Sequence, residues 1–206
     1  MEKIDINSWP RREVYEFFSA ISQPFYSVTF NVDVTELYGY VKKEGLSFYY
    51  ALTYLVTKAI NSVDAFGYAV EDGAVVRLGK RDPSFTDMKK GAETFHIVTM
   101  PMEADIKSFC ARARLRSENQ EGFIDMASES AGLIFISCLP WLELTALTNE
   151  RDFDADDCVP RVSWGKYVPR DGRLILGMSV EVNHRFIDGV HIGRFAQALE
   201  AEIKAL

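Results

Sequence analysis

Apolar residues recur along this chain with two distinct periods. The helical period is clearest at 48–60. Phe48, Ala51, Leu52, Leu55, Val56, Ala59 and Ile60 follow i, i+3, i+4, i+7 spacing, which predicts a core-facing helix. Ile106, Phe109, Cys110 and Ala113 predict a second, and Ile192, Phe195, Leu199 and Ile203 a last helix after Gly189. Trp9-Pro10-Arg11 leads into a short helix over 12–18, with proline suited to its first turn. Thr35 is expected to cap a helix that ends near Gly45. The strand period of two runs over 25–33, where Tyr26, Val28, Phe30 and Val32 share one face. It runs again over 173–182 through Leu174, Leu176, Met178, Val180 and Val182. Leu133 to Ser137 is apolar throughout and predicts a buried strand. Glu71-Asp72-Gly73 between apolar runs predicts a β-hairpin over 66–78. Helices and strands alternate without a regular βαβ rhythm. The expected fold is therefore α/β, a two-layer sandwich with a mixed, largely antiparallel sheet. No repeat or linker divides the 206 residues, so one domain over 1–206 is expected.

Charge narrows the classes of partner. The formal net charge is −7 and no basic stripe occurs, which argues against nucleic acid and against an anionic membrane surface. No apolar run approaches the ~18–20 residues that span a bilayer, and the N-terminus lacks a secretory pattern. Three cysteines without a C-x-x-C pair point to a reducing, cytoplasmic setting and give no support for a metal. There are 14 Phe, 9 Tyr and 3 Trp, an aromatic excess that fits a large core, a ligand pocket or a subunit interface. There are only three histidines, so imidazole chemistry falls on His96, His184 or His191.

The segment Asn183-His184-Arg185-Phe186-Ile187-Asp188-Gly189 joins a predicted strand to a predicted helix. A histidine at a strand end is held better than one on a loop, and its ordinary pKa suits proton abstraction near neutrality. A satisfied structural histidine is the plain alternative. Asp188, four residues on, is in place to orient the imidazole or to point away. Ser137 ends an apolar strand inside Ser137-Cys138-Leu139-Pro140-Trp141, where its hydroxyl could donate to an oxyanion or simply bond its own backbone.

Together these residues make the chain resemble the type A chloramphenicol acetyltransferases. The resemblance is carried by Trp9-Pro10-Arg11, Ser47-Phe48-Tyr49-Tyr50-Ala51, Ser137 to Trp141, Gly165-Lys166-Tyr167, and His184 to Gly189 with His191 after it. It implies that His184 is a general base, taking the proton of a substrate hydroxyl that attacks acetyl-CoA directly. It implies that His184 is held by its own backbone carbonyl, and that Asp188 is structural and pairs with Arg11. Ser137 would bond the oxyanion, and Ser163 would reach the intermediate through water. Lys166 and Tyr167 would contact the CoA nucleotide. Phe17, Phe18, Pro24 and Tyr26 would lie near the acceptor. Acetyl-CoA enters as co-substrate with no resident cofactor and no metal, and the family forms homotrimers with active sites at subunit interfaces.

Some positions depart from that pattern. The motif opens Asn183-His184-Arg185-Phe186 where the family usually has two histidines and then small residues. His-Arg, two apolar residues and Asp-Gly also resemble the dihydrolipoamide acyltransferase catalytic domain, although the other segments favour the first family. Phe18 stands for a tyrosine, Ser22, Pro24 and Tyr26 alter the acceptor pocket, and Ser47 stands for a lysine that holds CoA in some members. A different alcohol or thiol acceptor, or a non-catalytic trimer that binds a small aromatic ligand, are the rival readings. His191 is expected to cap or pack, and His96 to be structural. The acidic run Glu150, Asp152, Asp154, Asp156, Asp157 lacks the glycine and distal glutamate of an EF-hand, so a solvated loop is expected there. No G-x-S-x-G elbow, P-loop or dinucleotide fingerprint occurs.

Overall fold

A computed structural model describes every residue except Phe153. The strands, in chain order, are β1 (Glu2–Lys3), β2 (Phe25–Asp33), β3 (Tyr68–Glu71), β4 (Ala74–Arg77), β5 (Asp82–Asp87), β6 (His96–Thr99), β7 (Leu133–Leu139), β8 (Arg161–Arg170) and β9 (Arg173–Asn183). The helices are α1 (Arg12–Ser19), α2 (Thr35–Glu44), α3 (Phe48–Asn61), α4 (Ile106–Asn119) and α5 (Gly189–Lys204). The main sheet has the order β2-β9-β8-β7-β5-β6, and β1-β4-β3 form a small second sheet. In the main sheet β7 pairs in parallel with both β5 and β8, and the other pairings are antiparallel. This is the mixed α/β sheet that the patterning predicts.

The core lies between this sheet and α2–α5. Val28, Val180, Val162, Ile136 and Phe85 form one cross-strand row that faces the helices. The buried side of α3, from Ala51 through Ile60, packs on that row, and α4 and α5 flank it. The hairpin turn has positive φ at Asp72 (50°) and Gly73 (71°), the type I′ geometry that matches strand twist. Arg81, 1% exposed, joins the two sheets by donating to the carbonyls of Phe66, Tyr68, Ala131, Leu133 and Cys158.

Several expectations need correction. Thr35 is the first residue of α2 rather than its cap. The Asp33 carboxylate accepts from the Thr35 N–H and hydroxyl, while Thr35 Oγ1 accepts from Leu174 N–H and ties α2 to β9. Helix α1 begins at Arg12, so Pro10 lies in the preceding turn. Strands β5 and β8 were not foreseen, because Pro83 and two aspartates interrupt one and Gly165, Lys166 and Pro169 the other. The acidic run is not a free solvated loop. Asp157 pairs with Arg151 and Arg161, and Asp156 with Arg185, so three arginines hold it against the sheet.

Residues 140–152 and 154–157 cross the face of the sheet opposite the helices, and glycine makes that approach possible. A Cβ at Gly177 would lie 2.1 Å from the Leu144 carbonyl oxygen, and one at Gly165 2.5 Å from that of Leu142.

Candidate active site

His184 follows directly on β9. Its backbone N–H donates to the Pro24 carbonyl at 2.6 Å, which fastens the strand end to the start of β2. Arg11 then holds the turn at four points. Nη1 and Nη2 meet the two Asp188 carboxylate oxygens at 2.5 and 2.6 Å, a bidentate pair. Nε donates to the Arg185 carbonyl at 2.7 Å and Nη2 to the His184 carbonyl at 3.1 Å. The hydrogen bonds from Arg11 hold the Asp188 carboxyl below the usual carboxylate range, so it stays charged.

The imidazole is framed by aromatic rings. Phe18 stacks on it at 4.0 Å and 12°, and Tyr26 lies at 4.4 Å and 34°. The Tyr26 hydroxyl donates to the Ile187 carbonyl, and burial, then the Asp188 charge, push its pKa up to about 12. Phe17 meets Phe18 edge-on but is itself 66% exposed, and it does not reach the histidine. His184 Nδ1 is buried without a hydrogen-bond partner among the described residues, its nearest ion-pair contact being Asp188 Oδ1 at 3.3 Å. The His184 carbonyl expected to hold it accepts from Arg11 instead. The Asp188 carboxylate thus lies on the Nδ1 side of the ring.

The second group of residues lies elsewhere on the sheet. Ser137 pairs with Ser163 across β7 and β8, and Ser163 pairs with Ser179 across β8 and β9. With Thr29 beyond Ser179, these hydroxyls form one row facing away from the helices. Thr86 Oγ1 donates to Ser137 Oγ at 3.4 Å, and Ser163 Oγ donates to Asn149 Oδ1 at 3.3 Å. Cys138 beside Ser137 has its thiol pushed up to about 12 by burial, which removes it as a nucleophile near neutral pH. Lys166, within a bulge between Trp164 and Tyr167, is exposed, while Tyr167 packs against Tyr38 and Phe48. Ser47 caps α3, its hydroxyl accepting from Tyr50 N–H.

Within one chain the two groups do not meet. Ser137 is two strands from β9 and level with Ser179, five residues short of His184. At about 3.3 Å per residue and about 4.8 Å per strand, the separation is roughly 17–20 Å. The structure thus gathers His184, Asp188, Arg11, Phe18, Pro24 and Tyr26 at one end of the sheet. Ser137 and Ser163 lie at its middle, and Lys166 and Tyr167 along β8.

The remaining histidines act as expected. His191 Nδ1 accepts from the Asp188 N–H at 2.9 Å at the start of α5, and burial lowers its pKa. His96 is buried with Nε2 3.0 Å from Ser117 Oγ. Among the described residues no cluster of His, Cys, Asp and Glu suits a metal, and no helix is long and apolar enough to cross a membrane. Sequence reasoning passed over Thr86 and the buried side chains of Asn183 and Arg185. The latter two had a signal: they continue the polar phase of a strand whose other phase is wholly apolar.

Comparison with known proteins supplies the family. The chloramphenicol acetyltransferase family model matches residues 1–200. Chloramphenicol acetyltransferase 3 of Escherichia coli is 29% identical over 202 residues, covering 96% of this chain and 94% of that protein. A solved chloramphenicol acetyltransferase superposes with a TM-score of 0.91 at 28% identity, covering 98% of this chain and 99% of that one. A probable dihydrolipoamide acetyltransferase from Listeria monocytogenes shares the fold, with a TM-score of 0.64 at 16% identity. With the model matched almost end to end, the chain belongs to the chloramphenicol acetyltransferase family.

Proposed function

We propose that this protein transfers the acetyl group of acetyl-CoA to a hydroxyl of a small acceptor of the chloramphenicol kind. His184 Nε2 takes the hydroxyl proton, and the oxygen attacks the thioester carbonyl. The tetrahedral intermediate carries its negative charge on the former carbonyl oxygen, to which the Ser137 hydroxyl donates a hydrogen bond. The C–S bond then breaks, and the departing thiolate takes the proton back from the imidazolium. No acyl-enzyme forms. Ser163 contacts the intermediate through water, Phe17, Phe18, Pro24 and Tyr26 line the acceptor side, and Lys166 with Tyr167 receives the CoA nucleotide. Since Ser137 and His184 stand far apart in one chain, each site is completed across a subunit boundary in a homotrimer. Three unpaired cysteines accord with a cytoplasmic enzyme acting as a single domain.

The strongest support is the Arg11–Asp188 pair, which braces the His184 turn through the carbonyls of His184 and Arg185 and leaves Nε2 unencumbered. The test is CoA thiol release with acetyl-CoA and a panel of acceptors containing chloramphenicol, other small alcohols and dihydrolipoamide. Chloramphenicol-dependent release is expected. His184→Ala should lower it by at least ~10³-fold, within the range typical of losing a general base. Ser137→Ala should lower it by about 10²-fold. Release only with a thiol would favour the dihydrolipoamide reaction, and ligand binding without release would favour a non-catalytic trimer.

A further inference from the structure

The outer face of β9 carries a polar residue at every second position: Ser179, Glu181, Asn183 and, just past the strand end, Arg185. All four grip the segment that crosses the sheet. Ser179 Oγ donates to the Leu147 carbonyl at 3.0 Å. The Glu181 carboxylate accepts from Asn149 N–H at 3.0 Å and from Arg151 Nε at 2.8 Å. Burial pushes the Glu181 pKa up, but these hydrogen bonds outweigh it and keep the group ionised. Asn183 Nδ2 donates to the carbonyls of Ala155 and Asp157 at 2.9 and 3.1 Å. Arg185 pairs with Asp156 at 2.9 Å and donates to the Ala155 carbonyl.

The last two residues flank His184 and are bonded to each other. Asn183 Oδ1 accepts from the backbone N–H and from Nε of Arg185, at 3.0 and 3.3 Å. They are 4% and 3% exposed, while the His184 side chain between them is 32% exposed. Its Nδ1 has no hydrogen bond of its own. The aim of the imidazole therefore depends on its backbone and on the two flanking rings. A bond network that closes immediately on either side of that backbone bears directly on where Nε2 points.

We propose that Asn183 and Arg185 are positioning residues for His184, and that residues 147–152 and 154–157 are the brace through which they act. This rests on the reading of His184 as the base. It gives the buried amide, the buried guanidinium and the acidic run one common purpose. Asp156, about half exposed on the loop side, is the far end of the brace and touches nothing at the reacting atoms.

Steady-state kinetics of the intact enzyme provide the test. Arg185→Gln should lower kcat by about 10–100-fold, the scale of a small misplacement of a catalytic group, with KM for acetyl-CoA within about twofold of the parent. Asn183→Ala should act in the same direction. Asp156→Asn should lower kcat by less, and the Arg185→Gln/Asp156→Asn double variant should be no worse than Arg185→Gln alone. Arg185→Lys, which keeps the charge but not the bonds to Ala155 and Asn183, should recover part of the loss. An unchanged kcat in Arg185→Gln and Asn183→Ala, with only a lower Tm, would overturn the proposal. Multiplicative losses in the double variant would overturn the loop as the route. Should Arg185→Gln fail to fold, Asp156→Asn still decides: an unchanged kcat there contradicts the brace. Near-full turnover in His184→Ala would instead sink the reading of the base itself.

Discussion

Arg11 bonds to residues more than 170 positions away in sequence, and its planar fork explains why arginine stands there. One guanidinium satisfies both oxygens of Asp188 and two backbone carbonyls, four bonds that no point charge can reproduce. Arg11→Lys restores the ion pair alone. It should leave kcat about 10²-fold down, because a turn free to shift by even an ångström misaims Nε2. Arg11→Ala should lose at least as much, and thiol-release kinetics separate the two. His191 supplies a different residue-scale effect. Burial lowers its folded pKa below the ordinary 6.5, opposed by the Asp188 charge and reinforced by Arg11 and Arg194. Its neutral Nδ1 accepts the Asp188 N–H, so protonation would break that bond. As pH falls below about 6.5 the unfolded chain takes up a proton that the folded chain resists, and stability declines. Melting temperatures at pH 7.5 and 5.5 should show a larger acid loss in the parent than in His191→Asn, which keeps a side-chain acceptor but does not titrate.

At the scale of elements, the segment over the sheet is set by two glycines on adjacent strands. Gly165 on β8 and Gly177 on β9 let the Leu142–Leu144 backbone lie where any side chain would stand. Gly177→Ala should destabilise by at least ~2 kcal/mol, since its Cβ meets a backbone oxygen rather than a yielding side chain. Chemical denaturation measures this, and an unchanged midpoint would contradict the packing. These contacts also indicate what sequence could and could not reveal. Elements with one unbroken period, α3 and β9 above all, were legible because one face of each is apolar throughout. Strands β5 and β8 were not, because proline, glycine and charge break their alternation while neighbouring strands on both sides supply their pairing. At the site, the pairing of Arg11 with Asp188 beside His184 was legible through the family resemblance. The bonds of Asn183 and Arg185 were not, because their partners come from a loop whose own sequence reads as a free acidic run. Asp156 and Asp157 become interpretable only once Arg151, Arg161 and Arg185 are seen beside them.

At the scale of the whole molecule, the sheet carries its chemical groups too far apart for one chain to use together. The row of hydroxyls through Ser137 and Ser163 crosses the middle of the sheet, on the face opposite the helices, and His184 stands at its end. The row through Ser137 cannot be brought to His184 by rotating side chains, for the gap of roughly 17–20 Å exceeds the reach of any rotamer by several times. A second copy closes the gap only if one chain's His184 end lies against another's Ser137. That geometry makes a specific demand on mixed oligomers. On the proposed roles His184→Ala chains would lack the base and Ser137→Ala chains the oxyanion donor, so each variant alone should be strongly impaired. If the two are unfolded, mixed and refolded together, some interfaces will join an intact His184 from one chain to an intact Ser137 from the other. Thiol release with chloramphenicol should then rise well above the sum of the separate variants, in proportion to the fraction of mixed oligomers. Activity equal to that sum, in material shown by mass spectrometry to contain mixed oligomers, would contradict a site shared between chains.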